Sequence, residues 1–372
     1  MKTSRVLGVI AFALLCAACG ANSGEPAPSG TATEPPMAFA MTNAETGNAV
    51  LAYLRSSDGT LANVASSPTG GTGVGHGLEN QGALALSHDG RFLYVVNPGS
   101  NDLSVFRISG TDLQLANRVP SGGTLPVSVV EWSGIVYVLN RNATSDPSSG
   151  PTIQGFRVSD SGALSAIPGS AMRLRAASTN AAQIGISPDG RWLVVTERGI
   201  DQVDLIPLSA DHIPGPVRAV PSAGHGPFGF AFSDTLRLYI AESAAGTTSA
   251  YDLDVEGAPS VLSAALPTQQ RATCWLAISP DNQWVYVTNT ASRSISSYRI
   301  SQDGSLRLVA SIAATTAAPP VDVIVDTAGA HLSVLTTDGS IETFLIDRSL
   351  GSLTSLQTVS SLPAGANGLT GN

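Results

Sequence analysis

The sequence predicts an all-β fold, a β-propeller of seven blades with four antiparallel strands each. Three observations predict it. A unit of about 49 residues recurs along the chain, each unit built from short apolar strands. Glycine-bearing turns fall every eight to twelve residues within it, and no stretch carries the apolar period of a helix. The 38 glycines and 23 prolines would interrupt the helices of a bundle. A hydrophobic content of 43% with only 13% charged residues excludes a disordered chain.

In chain order, residues 1–18 read as a signal segment. Lys2 and Arg5 precede an apolar run at 6–15 that is too short to span a bilayer as a permanent helix. The following Cys16-Ala17-Ala18-Cys19-Gly20 resembles a bacterial lipoprotein signal, with Cys19 as the lipidated residue. Residues 19–36 are a Ser/Gly/Pro/Ala tether without periodicity, and 37–372 form the folded domain. The expected location is therefore outside the cytoplasm, anchored to the cell envelope by lipid. The outer membrane is favoured because Gly20 rather than Asp follows Cys19. Beyond Cys19 only Cys274 remains, so no disulfide can form within the exported chain.

Within the domain, strands end in a polar anchor at Asn43, Asn97, Asn140, Glu197, Glu242, Asn289 and Thr336. Before each anchor except the first lies another apolar segment and a tight turn. Leu84-Ala85-Leu86-Ser87, then His88-Asp89-Gly90, then residues 92–97 is one instance. Pro188-Asp189-Gly190 and Pro280-Asp281-Asn282 supply the same turn in two later units. An alternating strand follows each anchor, then a Gly turn (Gly59, Gly162, Gly304, Gly351) and a fourth strand. The first unit lacks its innermost strand, and a leftover strand at 364–370 is expected to complete it and join the chain ends. Strand direction places the long connections at 66–81, 140–151 and 171–180 on one rim with the seven anchors, so binding is expected there.

Composition excludes several chemistries. The formal charge of −9 lacks the basic footprint of a duplex nucleic-acid binder. Lysine occurs once, at Lys2, which removes Walker phosphate loops, Schiff-base chemistry and Ser-Lys hydrolysis. Gly-x-Ser-x-Gly and His-Glu-x-x-His are absent. The calcium-loop imitation at 252–257 has Ser263 where a bidentate Glu belongs, and it coincides with a turn. No metal and no cofactor are expected.

With Tyr286-Val287-Thr288-Asn289 spelling a YVTN signature, the repeats resemble the lactonase-type seven-bladed propellers, which include 6-phosphogluconolactonase and 3-carboxy-cis,cis-muconate lactonizing enzyme. Pro227-Phe228-Gly229-Phe230 and Ala272-Thr273-Cys274-Trp275 resemble a secreted subgroup of that family. The resemblance implies lactone chemistry at the channel mouth. The family's Pro-Arg-His and Asn-Glu-Leu motifs would fall on Ala181-Ala182-Gln183 and on Glu197-Arg198, so its apparatus is not retained in register.

Lactone hydrolysis needs a base to activate water and a cation to hold the developing oxyanion. Glu197 and Glu242, the acids among the anchors, are the candidate bases, with Arg271 or Arg198 as stabiliser. Trp275, Cys274, His225, Arg141, Asn97, Asn140 and Asn289 are candidate binding residues, and His76 is a further candidate on the rim. The other reading of every anchor is structural, as a bond to loop backbone. The sequence thus supports a monomeric, lipid-anchored lactone hydrolase or cycloisomerase acting on a small polar molecule. Its alternative is a non-catalytic envelope module that binds a small molecule or a protein partner.

Overall fold

The computed structural model describes residues 35–372 except 143–149, 175–178, 255 and 257. The signal segment, Cys19 and all but the last two residues of the tether lie outside the described residues. Seven antiparallel sheets form the domain. Blade 1 comprises 37–68 with the closing strand Asn367–Gly371, and blades 2 to 7 follow at 84–120, 126–173, 181–221, 227–267, 273–315 and 320–360. Six blades have four strands. In blade 3 the outer strand is split into Leu164–Ala166 and Met172–Arg173, both paired to Thr152–Val158.

Ring closure follows the sequence expectation. The C-terminal strand Asn367–Gly371 occupies the innermost position of blade 1 and pairs antiparallel with Met37–Met41, Phe39 opposite Thr370 and Ala40 opposite Leu369. Gly368 is required there. Its φ of +71° lies in the left-handed region, and a Cβ would stand 2.3 Å from Leu84 Cδ1.

Burial runs radially. The second strands of blades 2, 3, 4, 6 and 7 are buried along their whole length, which is why they read as unbroken apolar runs. The third strands alternate in sequence yet are mostly buried on both faces, as in Asp102–Ser109, because neighbouring blades cover them. The solvent-facing alternation belongs to the fourth strands, such as Asp112–Pro120. Apolar clusters accordingly bridge adjacent blades, with Phe39, Phe92, Phe106 and Phe156 sharing one across blades 1 to 3.

Repeated polar locks hold the hairpins. Ser87 donates to Asp89 (2.7 Å) and accepts from the Phe92 amide (2.9 Å). Ser187 with Asp189 and Trp192, and Ser279 with Asp281 and Trp284, repeat this at the other two turns. Two of the tyrosines that stand three residues before anchors staple blades together. Tyr137 donates to the His212 carbonyl of blade 4, and Tyr239 to the Gly304 carbonyl of blade 6. On this opposite rim His88 is exposed, whereas His331 is buried against Asp326 at 2.7 Å.

Candidate functional site

The end of each second strand, the turn that follows it and the crossing to the next blade all meet at one rim, and the main cavity opens there. It has a volume of about 730 Å³, within the range of small-molecule sites. Blades 4 to 7 and the closing strand supply most of its wall. Short 3-10 turns directly after two anchors, Arg198–Ile200 and Thr290–Ser292, carry Arg198 and Thr290 into the wall.

The floor is aromatic. Phe228 and Trp275 open the inner strands of blades 5 and 6 and meet edge to face, centroids 5.0 Å apart. The segment Glu79-Asn80-Gln81 crosses the channel beneath them. The Trp275 indole donates to the Asn80 carbonyl (2.7 Å), and Asn80 donates to the Val127 carbonyl of blade 3. Gln81 behaves as a short extra strand: its amide donates to the Leu276 carbonyl (2.7 Å) and accepts from the Leu276 N–H (3.1 Å). Gln183 pairs with Phe230 in the same two-way manner. Inner strands carry unpaired backbone groups on their channel edge, and these amides satisfy them.

At the wall Arg198 pairs with Glu79 at 2.6 Å, their side chains 25% and 63% exposed. The guanidinium also lies 5.5 Å from the centre of the Phe228 ring. Glu79 sits at φ +50°, a conformation uncommon for a residue with a Cβ and a mark of a constrained position. Asn367 lines the cavity from the closing strand and is almost wholly buried, its Oδ1 without a hydrogen-bond partner among the described residues.

The sequence-predicted residues divide into two groups. Arg198, Cys274, Trp275 and His76 line the cavity. Glu242, proposed as a base, does not line it; it is fully buried and its carboxylate accepts from Ser222, the Gly224 N–H, Thr247 and Ser249. It holds side-chain oxygens five and seven residues ahead, as do Asn97 (the Asp102 carboxylate and the Ser104 hydroxyl) and Asn289 (the Ser294 and Ser296 hydroxyls). The amides donate where Glu242 accepts, so Glu242 is this anchor with its polarity reversed. Glu197 is likewise fully buried and outside the cavity lining. Asn140 is a buried anchor that donates to the Ser121 carbonyl (3.0 Å). The structural reading therefore accounts for these anchors, because a polar group at the end of a strand buried on both faces must be satisfied internally.

Among the remaining candidates, Arg271 is exposed and apart from the lining. Arg141 spends its guanidinium on the carbonyls of Ala181, Leu78 and Glu79, and burial draws its pKa down to about 10. It clamps the crossing segment to blade 4. His225 is exposed beside the cavity, its Nδ1 2.7 Å from Asp201; that bond raises the imidazole pKa and lowers the carboxyl. Burial pushes the Cys274 thiol up to about 11, which keeps it protonated and unsuited to attack as a thiolate at neutral pH. Glu79, Phe228 and Asn367 are among the lining residues that the sequence reading did not select as site candidates.

The family model described as a lactonase, 7-bladed beta-propeller, matches residues 32–146, 150–274 and 257–367. Among solved structures, a candidate 6-phosphogluconolactonase from Bacteroides fragilis is 20% identical with a TM-score of 0.71, covering 92% of this chain and 99% of its own. A periplasmic gluconolactonase from Pseudomonas aeruginosa is 18% identical with a TM-score of 0.72, covering 90% and 98%. A Lactobacillus plantarum protein is 19% identical with a TM-score of 0.74, covering 91% and 100%. At these identities the likeness to solved structures is one of fold. No curated protein matched the sequence.

Proposed function

Because the chain belongs to the lactonase family of seven-bladed β-propellers, we propose that its mouth cavity hydrolyses a small lactone, with Arg198 and Glu79 as the catalytic pair. The observation that carries this reading is the Arg198–Glu79 ion pair set in the wall of the cavity above an aromatic floor. Glu79 is exposed enough to hold a water, and its carboxylate takes the proton as that water attacks the lactone carbonyl carbon. Arg198 keeps N–H groups for the oxygen that becomes negative in the tetrahedral intermediate. When the ring C–O bond breaks, the leaving alkoxide recovers the proton from Glu79 and a hydroxy acid departs. The 3-10 turn after Glu197 and the clamp of Arg141 on the crossing segment fix the two partners, so little reorganisation is needed at the moment of reaction.

Assay of the purified protein against a lactone panel tests this. Arg198→Met is expected to lower kcat about 10²–10³-fold, the usual effect of removing an oxyanion donor. Glu79→Gln is expected to lower it by a similar factor. Glu197→Gln and Glu242→Gln, which alter groups outside the cavity, retain turnover in their folded fraction. Turnover unaffected by Arg198→Met and Glu79→Gln would overturn the assignment. Wild-type protein that binds a ring ligand at the mouth without turning over any lactone would favour the binding-module reading instead.

The same reading places the protein outside the cytoplasm as a lipid-anchored monomer. Its support is the charged start, the short apolar run and Ala17-Ala18-Cys19. Radiolabelled palmitate is expected to enter the wild-type chain and not Cys19→Ala, which would also leave the membrane fraction.

A further inference from the structure

The charges around the cavity select among lactones, and on the premise of lactone turnover at this mouth we infer that the substrate is a neutral, hydroxyl-bearing ring rather than a phosphorylated or carboxylated one. A phosphate dianion or a carboxylate needs cations with free N–H groups. Among the described residues, Arg198 is the one arginine lining the cavity; Glu79 at 2.6 Å balances its charge, and its remaining N–H groups are those assigned above to the lactone carbonyl oxygen, so none is left for a second anionic group. Arg141, nearest behind it, has its guanidinium committed to three backbone carbonyls. The half-exposed Glu79 carboxylate also presents a negative charge to anything entering. The one other side chain of the described lining that can carry a positive charge is the exposed His76, so an anionic substituent would give up its hydration against Glu79 with little to compensate.

The rest of the lining fits a neutral polyhydroxy ring. The indole N–H of Trp275 is engaged by Asn80 and the ring is 4% exposed, so the floor offers a narrow apolar edge of ring surface rather than a donor. Carbohydrate C–H faces pack on such surface while hydroxyls seek partners at the edge. Those partners are present: the unpartnered Oδ1 of buried Asn367, the hydroxyl of Thr337, and the hydroxyls of Thr290 and Ser243, which donate to the Pro320 and Gly226 carbonyls and remain open as acceptors.

Calorimetry with δ-gluconolactam and its 6-phosphate, both resistant to hydrolysis, tests the selectivity apart from catalysis. The neutral lactam is expected to bind roughly ten-fold tighter or more, consistent with one close like-charge contact near the surface. Glu79→Gln is expected to narrow that gap by strengthening binding of the phosphate. Asn367→Ala, a milder change than loss of the strand, is expected to weaken binding of the lactam. Equal or tighter binding of the phosphate, or no binding of the lactam, overturns the inference. Hydrolysis of phosphorylated lactones in preference to neutral ones would overturn it while leaving the hydrolase reading intact. Lactam binding without turnover of any lactone would support the ligand class and overturn the hydrolase.

Discussion

Deleting residues 367–372 is expected to abolish cooperative folding of the whole domain, an effect far larger than its six residues suggest. The closing strand is the inner member of blade 1, and its removal bares the edge of Met37–Met41 to the channel. Leu369, 4% exposed, leaves a cluster that joins Ala38, Ala40 and Leu51 of blade 1 to Leu335 and Ile341 of blade 7. Burial of one such side chain is worth about 1.5–3 kcal/mol. Each ladder bond lost without replacement adds about 1 kcal/mol. Asp322 also loses the Leu369 N–H that it holds at 2.8 Å. The combined loss is on the order of 5 kcal/mol or more, comparable to the whole stability of many domains at about 5–15 kcal/mol. A cyclic array has no spare interface to absorb it: the contacts left between blades 1 and 7, such as Arg55 with Ser333 and Leu61 with Gln357, would have to hold the ring closed by themselves. Circular dichroism and urea unfolding of the truncated chain should show no cooperative transition, and Leu369→Ala should give an intermediate loss of about 2–4 kcal/mol. A truncated protein with an unchanged midpoint would show that blade 1 is closed by some other means.

That closure was readable in the sequence because a propeller writes its geometry into every unit. Each repeat must supply an inner strand, a tight turn and an outer pair, so a unit missing its first strand and a tail with one to spare point at each other. The site was only half readable. Cys274, Trp275 and Arg198 stand at fixed distances from recognisable strand ends, and register alone brings them to the mouth. Glu197 and Glu242 share that register, but the second strand is covered on both faces, so side chains ending it turn into the sheet stack rather than the channel. Hydroxyls at positions 247 and 249 were the available clue, since a carboxylate flanked by donors five and seven residues on is already satisfied. Glu79 left no such mark. It lies in irregular backbone with φ +50° and meets Arg198 across 119 residues of chain, a pairing that no local period encodes.

Asp322 is expected to make the stability of the closed ring depend on pH near neutrality. Its carboxyl is completely buried on the inner strand of blade 7, where it accepts from the Val323 and Leu369 N–H groups, both at 2.8 Å. Burial is the dominant influence and pushes its pKa from 3.8 up to about 7, the two N–H groups offsetting part of that rise; no charged neighbour contributes to the shift. The folded state therefore binds this proton more tightly than the unfolded chain does. Its contribution to stability is fullest near pH 4, declines as pH rises toward 7, and stays low above that. Between pH 5 and pH 8 the decline amounts to about 3 kcal/mol at 1.36 kcal/mol per pH unit. Carboxylates held low by hydrogen bonds, such as Asp89 and Asp189, act in the opposite sense and lose their contribution only in stronger acid. Urea unfolding of wild type and Asp322→Ala at both pH values isolates the residue. The alanine variant lacks the titration, so the difference between the two proteins should be about 3 kcal/mol more in favour of wild type at pH 5 than at pH 8. A difference independent of pH would mean that the two backbone donors outweigh desolvation and that the carboxyl is ionised throughout. Val321 and Asn367, neighbours of Asp322 and Leu369 in sequence, both line the cavity. The clasp is therefore built into the wall of the cavity itself.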